Sequence, residues 1–325
     1  MATGRFFREV ELPQQKAQED GAVFPAVLYP NHSADSTAVE LCDFKEAIRA
    51  HKPWLNSLLQ KSGAILFRGF PVTSPSDFND VVQAFGYPED FYAGARVFRV
   101  KVVDRVYTSN EAPPEKGIPF HHEMAYLFFF CEEEPQAGGE TPIVLSHIIY
   151  EKMKERHPEF VAQLEEQGLT YTKVTNEEDD PSSIIGNGWK STYNTDDKNV
   201  AEERAAKLGA KIEWIGNCAK VKTGPLPAVR IEKESGRKTW FNSLAVSYSG
   251  PASKKFCSGD TSVELGNGEP VADHAVEDYL KILEEECVAI PWKKGDVLLI
   301  NNLMVLHGRR PLLKPPRRIL ASLCK

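Results

Sequence analysis

Apolar residues recur along this chain at two spacings, and each spacing predicts an element. Phe78, Val81, Val82 and Phe85 fall at i, i+3, i+4 and i+7, one face of a helix that Gly86 ends. Val276, Tyr279, Leu280 and Leu283 repeat that stripe nearer the C-terminus. A further helix is expected over residues 43–61, with Pro53 dividing it and Gly63 as its stop. Ser146 can cap a helix running towards Arg156, and another follows Pro158 up to Gly168. Between these lie short runs of strand type at 64–67, 98–108, 141–145, 288–292, 297–300 and 318–323. Residues 176–217 are polar and rich in Asp, Gly and Asn, and only a helix near 200–208 is expected there. Central strands with helices outside them predict a mainly β fold with helical decoration. No linker divides the chain, so residues 1–325 are expected to form one domain.

Charge narrows the partners. The net charge is -7 and no long Lys/Arg run exists, which argues against nucleic acid or an anionic membrane. No stretch approaches the roughly 20 apolar residues of a membrane span. The N-terminal segment carries Arg5, Arg8 and Glu9 in place of an apolar signal core, so a cytoplasmic protein is expected. The six cysteines (Cys42, Cys131, Cys218, Cys257, Cys287 and Cys324) are scattered with no CxxC pair. They are expected as reduced, mostly buried thiols.

Candidate chemistry lies in two places. His121, His122 and Glu123 follow a proline-containing loop. In extended backbone, His121 and Glu123 share a face and His122 points away. One imidazole and one carboxylate make two thirds of a facial triad, which a second histidine would complete. His307 follows the apolar runs 297–300 and 303–306, and Arg317 and Arg318 stand ten and eleven residues later at the head of the last strand. Taken alone, His-x-Glu suits a surface pair and His307 a core histidine. An arginine pair entering a core is costly unless it meets an anion, and a dicarboxylate would supply one in bidentate geometry.

Together these segments resemble the taurine dioxygenase and clavaminate synthase-like family of iron/2-oxoglutarate oxygenases, its plant clavaminate synthase-like branch above all. The matching stretches are SGAILFRGF from Ser62, PFHHEMA from Pro119, GGETPI from Gly138, WFNS from Trp240, PWKKGDVLLINN from Pro291, LHGRRP from Leu306 and PPRRILASL from Pro315. The resemblance implies a double-stranded β-helix, or jelly-roll, core. It implies Fe(II) bound by His121, Glu123 and His307, and 2-oxoglutarate held at its far carboxylate by Thr141 and Arg318, with Arg317 as the fallback. It further implies consumption of O2 and oxidation of a small molecule while 2-oxoglutarate becomes succinate. A carboxylate at Glu123 fills the place that halogenating relatives leave for chloride, so hydroxylation or a related desaturation or ring closure is expected. The segments around Trp189–Thr192 and Trp240–Asn242 are candidates to lie near the substrate, or else to serve as packing and, for Lys190, a solvated charge.

This sequence departs from the family pattern twice. The span from Glu123 to Gly138 is several residues shorter than usual, and Asn301 stands where an acidic residue is expected before Asn302. Two other readings compete: a jelly-roll binding protein without turnover, and a zinc hydrolase. The second lacks an HExxH motif and leaves the late arginine pair without a task.

Overall fold

The segment Val297–Asn301 is apolar at four of five positions and buried at all five, because both its faces are covered. It sits near the centre of an eight-stranded sheet in the computed structural model, which describes residues 6–31, 39–90, 99–109, 113–123, 126–180, 187–249 and 262–325. The strand order is Phe7–Glu9, Ala26–Pro30, Ala64–Phe67, Val297–Asn301, Tyr126–Glu133, Arg318–Cys324, Val106–Thr108 and Lys101–Val103. Every pairing is antiparallel except that of Ala26–Pro30 with Ala64–Phe67.

Strand alternation divides the side chains of this sheet between two cores. Val297, Leu299, Phe128, Phe130 and Leu320 face the helices Leu41–Ser62 and Pro75–Phe85. Leu298, Ile300, Leu127, Phe129, Ile319, Ala321 and Leu323 face the other way, onto Ile143, Leu145 and Val305. Those three residues belong to a second sheet, ordered Ile143–Leu145, Val305–Arg309, Ile118–His121. Its outer face carries Val144, Leu306 and Phe120 against the helices Ser146–Arg156, Pro158–Gln167 and Asp273–Glu286. The result is a mixed α and β assembly in which two sheets enclose one core and helices cover both outer faces.

Local chemistry explains the helix boundaries. Ser74 accepts the Asp77 N–H and Asp77 returns a bond to the Ser74 N–H, while Gly86 takes φ 66° at the far end. Pro53 does not divide the helix Leu41–Ser62. Its ring lies on the exposed side, where the carbonyl it orphans on Arg49 can reach water.

Four other expectations change. Ser146 is the first residue of its helix and does not cap it; its hydroxyl goes to His122 instead. Residues 288–292 form a single bridge, Val288 to Ile143, and no strand. The polar middle contributes to a four-stranded antiparallel sheet of Ala210–Ile215, Cys218–Leu226, Leu169–Thr175 and Ser262–Leu265. Residues 101–108 are two short strands joined by a turn at Asp104, and Phe98 lies outside the described residues.

Candidate metal and co-substrate site

His121 ends its strand and is paired in register with His307 on the neighbouring strand. Like Val305, His307 faces the core between the sheets, where the Phe129 ring stands 5.6 Å away. The two imidazoles are 4.3 Å apart between centroids. Glu123 follows just past the strand end, with Oε1 4.0 Å from His121 Nε2. One ligand atom from each of His121, Glu123 and His307 lies within 4.8 Å of the other two.

The remaining ring nitrogens fix which atom is offered. His121 Nδ1 lies 2.9 Å from the Pro119 carbonyl, and His307 Nδ1 lies 3.2 Å from Asn302 Oδ1. Both partners are assigned as acceptors, so each Nδ1 carries the hydrogen and each Nε2 a lone pair. Burial, and then the neighbouring His121, His122 and Arg99, push the His307 pKa well below the usual histidine range. His307 is therefore neutral near pH 7, as a metal ligand must be. Two imidazole nitrogens and a carboxylate oxygen, converging from three points, suit one ferrous ion with open positions.

His122 takes no part in this cluster. Its Nδ1 lies 2.6 Å from the Asn302 carbonyl, its Nε2 is 3.1 Å from the Ser146 hydroxyl, and its ring stacks on Phe241 at 4.3 Å. Burial pushes its pKa down to about 4. Asn302, fully buried, thus supports His122 through its backbone and His307 through its side chain. Asn301 needs no charge: its Oδ1 accepts the Leu303 N–H in the turn.

The arginine pair separates as alternation requires. Arg318 is exposed and reaches Glu132 at 3.1 Å, so it points away from the core. Arg317 lies two residues before Ile319, whose side chain packs between the sheets. Its Nε donates to the Gly139 carbonyl at 2.7 Å. Burial and the nearby Arg309 cation push its pKa down to about 10, and among the described residues no carboxylate forms an ion pair with it. Thr141 is buried on the segment that follows Gly139, and its Oγ1 accepts the Trp292 indole N–H at 3.3 Å. It lines a cavity with Leu66, Arg68, Ile143, Trp292 and Leu298. Arg68 in that wall is already neutralised, with Nε and Nη2 on the two Asp296 oxygens at 2.8 and 2.6 Å. Of the two, Arg318 is thus exposed and paired with Glu132, and Arg317 is the more buried.

Of the segments considered for the substrate side, only the second is nearby. Phe241 stacks on His122, and the Arg230 guanidinium lies 4.0 Å from the Phe241 ring centroid. Trp189 is packed with Tyr193, Ala201 and Ala219 in a separate cluster, and Lys190 pairs with Glu177 and Glu178. Nothing in the sequence marks Arg99, whose Nη2 donates to Glu123 Oε1 at 2.9 Å. Its neighbours carry no motif.

Residues 29–324 match the family described as "Taurine catabolism dioxygenase TauD, TfdA family". A clavaminate synthase-like protein of Arabidopsis thaliana is 54% identical over 98% of both chains. The dapdiamide synthesis protein DdaC of Enterobacter agglomerans is 27% identical, covering 81% of this chain and 82% of its own. Among solved structures, PvcB of Pseudomonas aeruginosa aligns over 98% of this chain and 91% of its own, with 14% identity and a TM-score of 0.52. At that identity the likeness is one of fold. No helix among the described residues is long and apolar enough to cross a membrane.

Proposed function

We propose a residue-level function on the premise that the chain belongs to the TauD/TfdA dioxygenase family. The chain is a 2-oxoglutarate-dependent dioxygenase that uses Fe(II) and 2-oxoglutarate. In our reading His121, Glu123 and His307 hold the iron, within one catalytic domain spanning residues 1–325 and built on a jelly-roll core. When bound, iron and 2-oxoglutarate supply the oxidising chemistry, with O2 consumed and 2-oxoglutarate decarboxylated to succinate.

The chain's own residues bind and orient. Pro119 and Asn302 fix the two imidazoles so that each Nε2 faces the metal position. Arg317, rather than Arg318, receives the far carboxylate of 2-oxoglutarate, with the Thr141 hydroxyl beside it. Phe129 and the apolar walls between the sheets exclude water from the inner side. The substrate in this reading is a small carboxylated or amino-acid-like molecule, oxidised by hydroxylation or a related desaturation or ring closure in the cytoplasm. The Arg230 guanidinium, held on Phe241 with no carboxylate paired to it among the described residues, supports an anionic group on that side.

The observation that carries this reading is the convergence of His121, Glu123 and His307 to within 4.8 Å. Its test is succinate release from 2-oxoglutarate under air. Release should require Fe(II), rise with a metabolite library, and vanish in His121→Ala. Iron-independent release, or none with any library member, would contradict the proposal.

A further inference from the structure

Glu123 is claimed from two sides. Its Oε1 stands 4.0 Å from His121 Nε2 and 2.9 Å from Arg99 Nη2. Both partners of the ion pair are largely buried, at 9% side-chain exposure for Arg99 and 17% for Glu123. Arg99 enters from the large sheet, just before its edge strand Lys101–Val103, whereas Glu123 follows a strand of the smaller sheet. The pair therefore ties the two sheets together at the metal position. Arg99 also contributes to the depression of the His307 pKa, which places its charge near the second histidine as well.

A carboxylate has two oxygens and about four lone-pair sites to share among its partners. One that gave both oxygens to a metal would leave too few positions for a chelating co-substrate and oxygen. A guanidinium donor on Oε1, the oxygen nearer His121, takes one of those lone-pair sites and fixes the plane of the group. It also withdraws electron density from the carboxylate, and its positive charge offsets part of the negative charge that 2-oxoglutarate brings.

We infer that Arg99 is a positioning residue that fixes the orientation of the Glu123 carboxylate as a ligand and weakens it as a donor. This rests on the iron reading given above, and the experiment separates the two. Wild type, Arg99→Gln and Arg99→Lys are loaded with Fe(II) and 2-oxoglutarate without oxygen. The visible charge-transfer band of the chelate and the 2-oxoglutarate dissociation constant are then recorded. In Arg99→Gln the band moves to longer wavelength, because a stronger carboxylate donor raises electron density on the metal. Its 2-oxoglutarate affinity falls by about tenfold. Arg99→Lys keeps the charge, retains most of the affinity, and lies between the two in band position. An Arg99→Gln protein with the wild-type band and the wild-type affinity overturns the inference while leaving the iron site intact. A wild-type protein that forms no band overturns the iron reading itself, and this inference with it.

Discussion

His307 stands directly across from His121 in the antiparallel pair that joins the strands Val305–Arg309 and Ile118–His121. The alignment is a backbone property, set by sheet register, and it delivers two imidazoles to one point from positions far apart in sequence. At Gly308, the next residue, the partner strand's backbone leaves no room for a side chain. A Cβ added there would lie 2.7 Å from the Ile118 carbonyl oxygen.

Gly308→Val is accordingly expected to push the two strands apart. Overpacking of this kind costs about 1–3 kcal/mol of stability. Because the histidines flank the disturbance, metal affinity should fall by more than the melting temperature suggests. Mn(II) titration followed by electron paramagnetic resonance, alongside a thermal melt, checks both. Wild-type Mn(II) affinity in a folded Gly308→Val protein would show that the strand pairing does not position the ligands.

Arg317 and Arg318 should behave very differently. Hydrogen bonds to charged groups contribute about 1.5–3 kcal/mol, so Arg317→Gln should weaken 2-oxoglutarate binding by about 10- to 150-fold. Arg318→Gln loses an ion pair whose arginine is 48% exposed, and its affinity should stay within about twofold of wild type. Calorimetric titration of the Fe(II)-loaded variants decides the matter. The reverse ranking would return the role to Arg318.

The pH dependence of stability has a predictable sign at His147. This side chain is buried, and burial together with the adjacent Arg237 pushes its pKa down to about 4 from the ordinary 6.5. The unfolded chain therefore binds more protons between those values. The contribution is fully present above about pH 6.5, declines as the pH falls towards 4, and amounts to roughly 3 kcal/mol across that window. Urea midpoints measured from pH 7.5 to 4 should fall less steeply in His147→Gln than in wild type. Parallel curves would remove His147 as a cause.

Much of this was legible in the sequence, for physical reasons. The amphipathic stripe from Phe78 to Phe85 and the glycine after it, Gly86, allow few alternatives to a capped helix. The apolar run 297–300 has to be a strand covered on both faces. The middle was harder. Lys211, Glu213 and Ile215 alternate with Ile212 and Trp214 in a strand whose charges hide the period, so it reads as loop. At the site, His121, Glu123 and His307 stood out as candidates because their chemistry is encoded in residue type, and the fold brings their ligand atoms within 4.8 Å of one another. The choice between Arg317 and Arg318 was not legible, because it depends on the phase of the last strand and residue type does not reveal that phase. Arg99 could not be found without coordinates, since only its spatial position distinguishes it from other arginines.

In the proposed site, His121, Glu123 and His307 hold one ferrous ion to which 2-oxoglutarate binds. Anaerobic titration of the protein with Fe(II) and then 2-oxoglutarate is the decisive measurement. Wild type should develop the weak visible charge-transfer band of the chelate at about one iron per chain, and His307→Ala and Glu123→Ala should not. A band that survives either substitution unchanged would contradict the assignment.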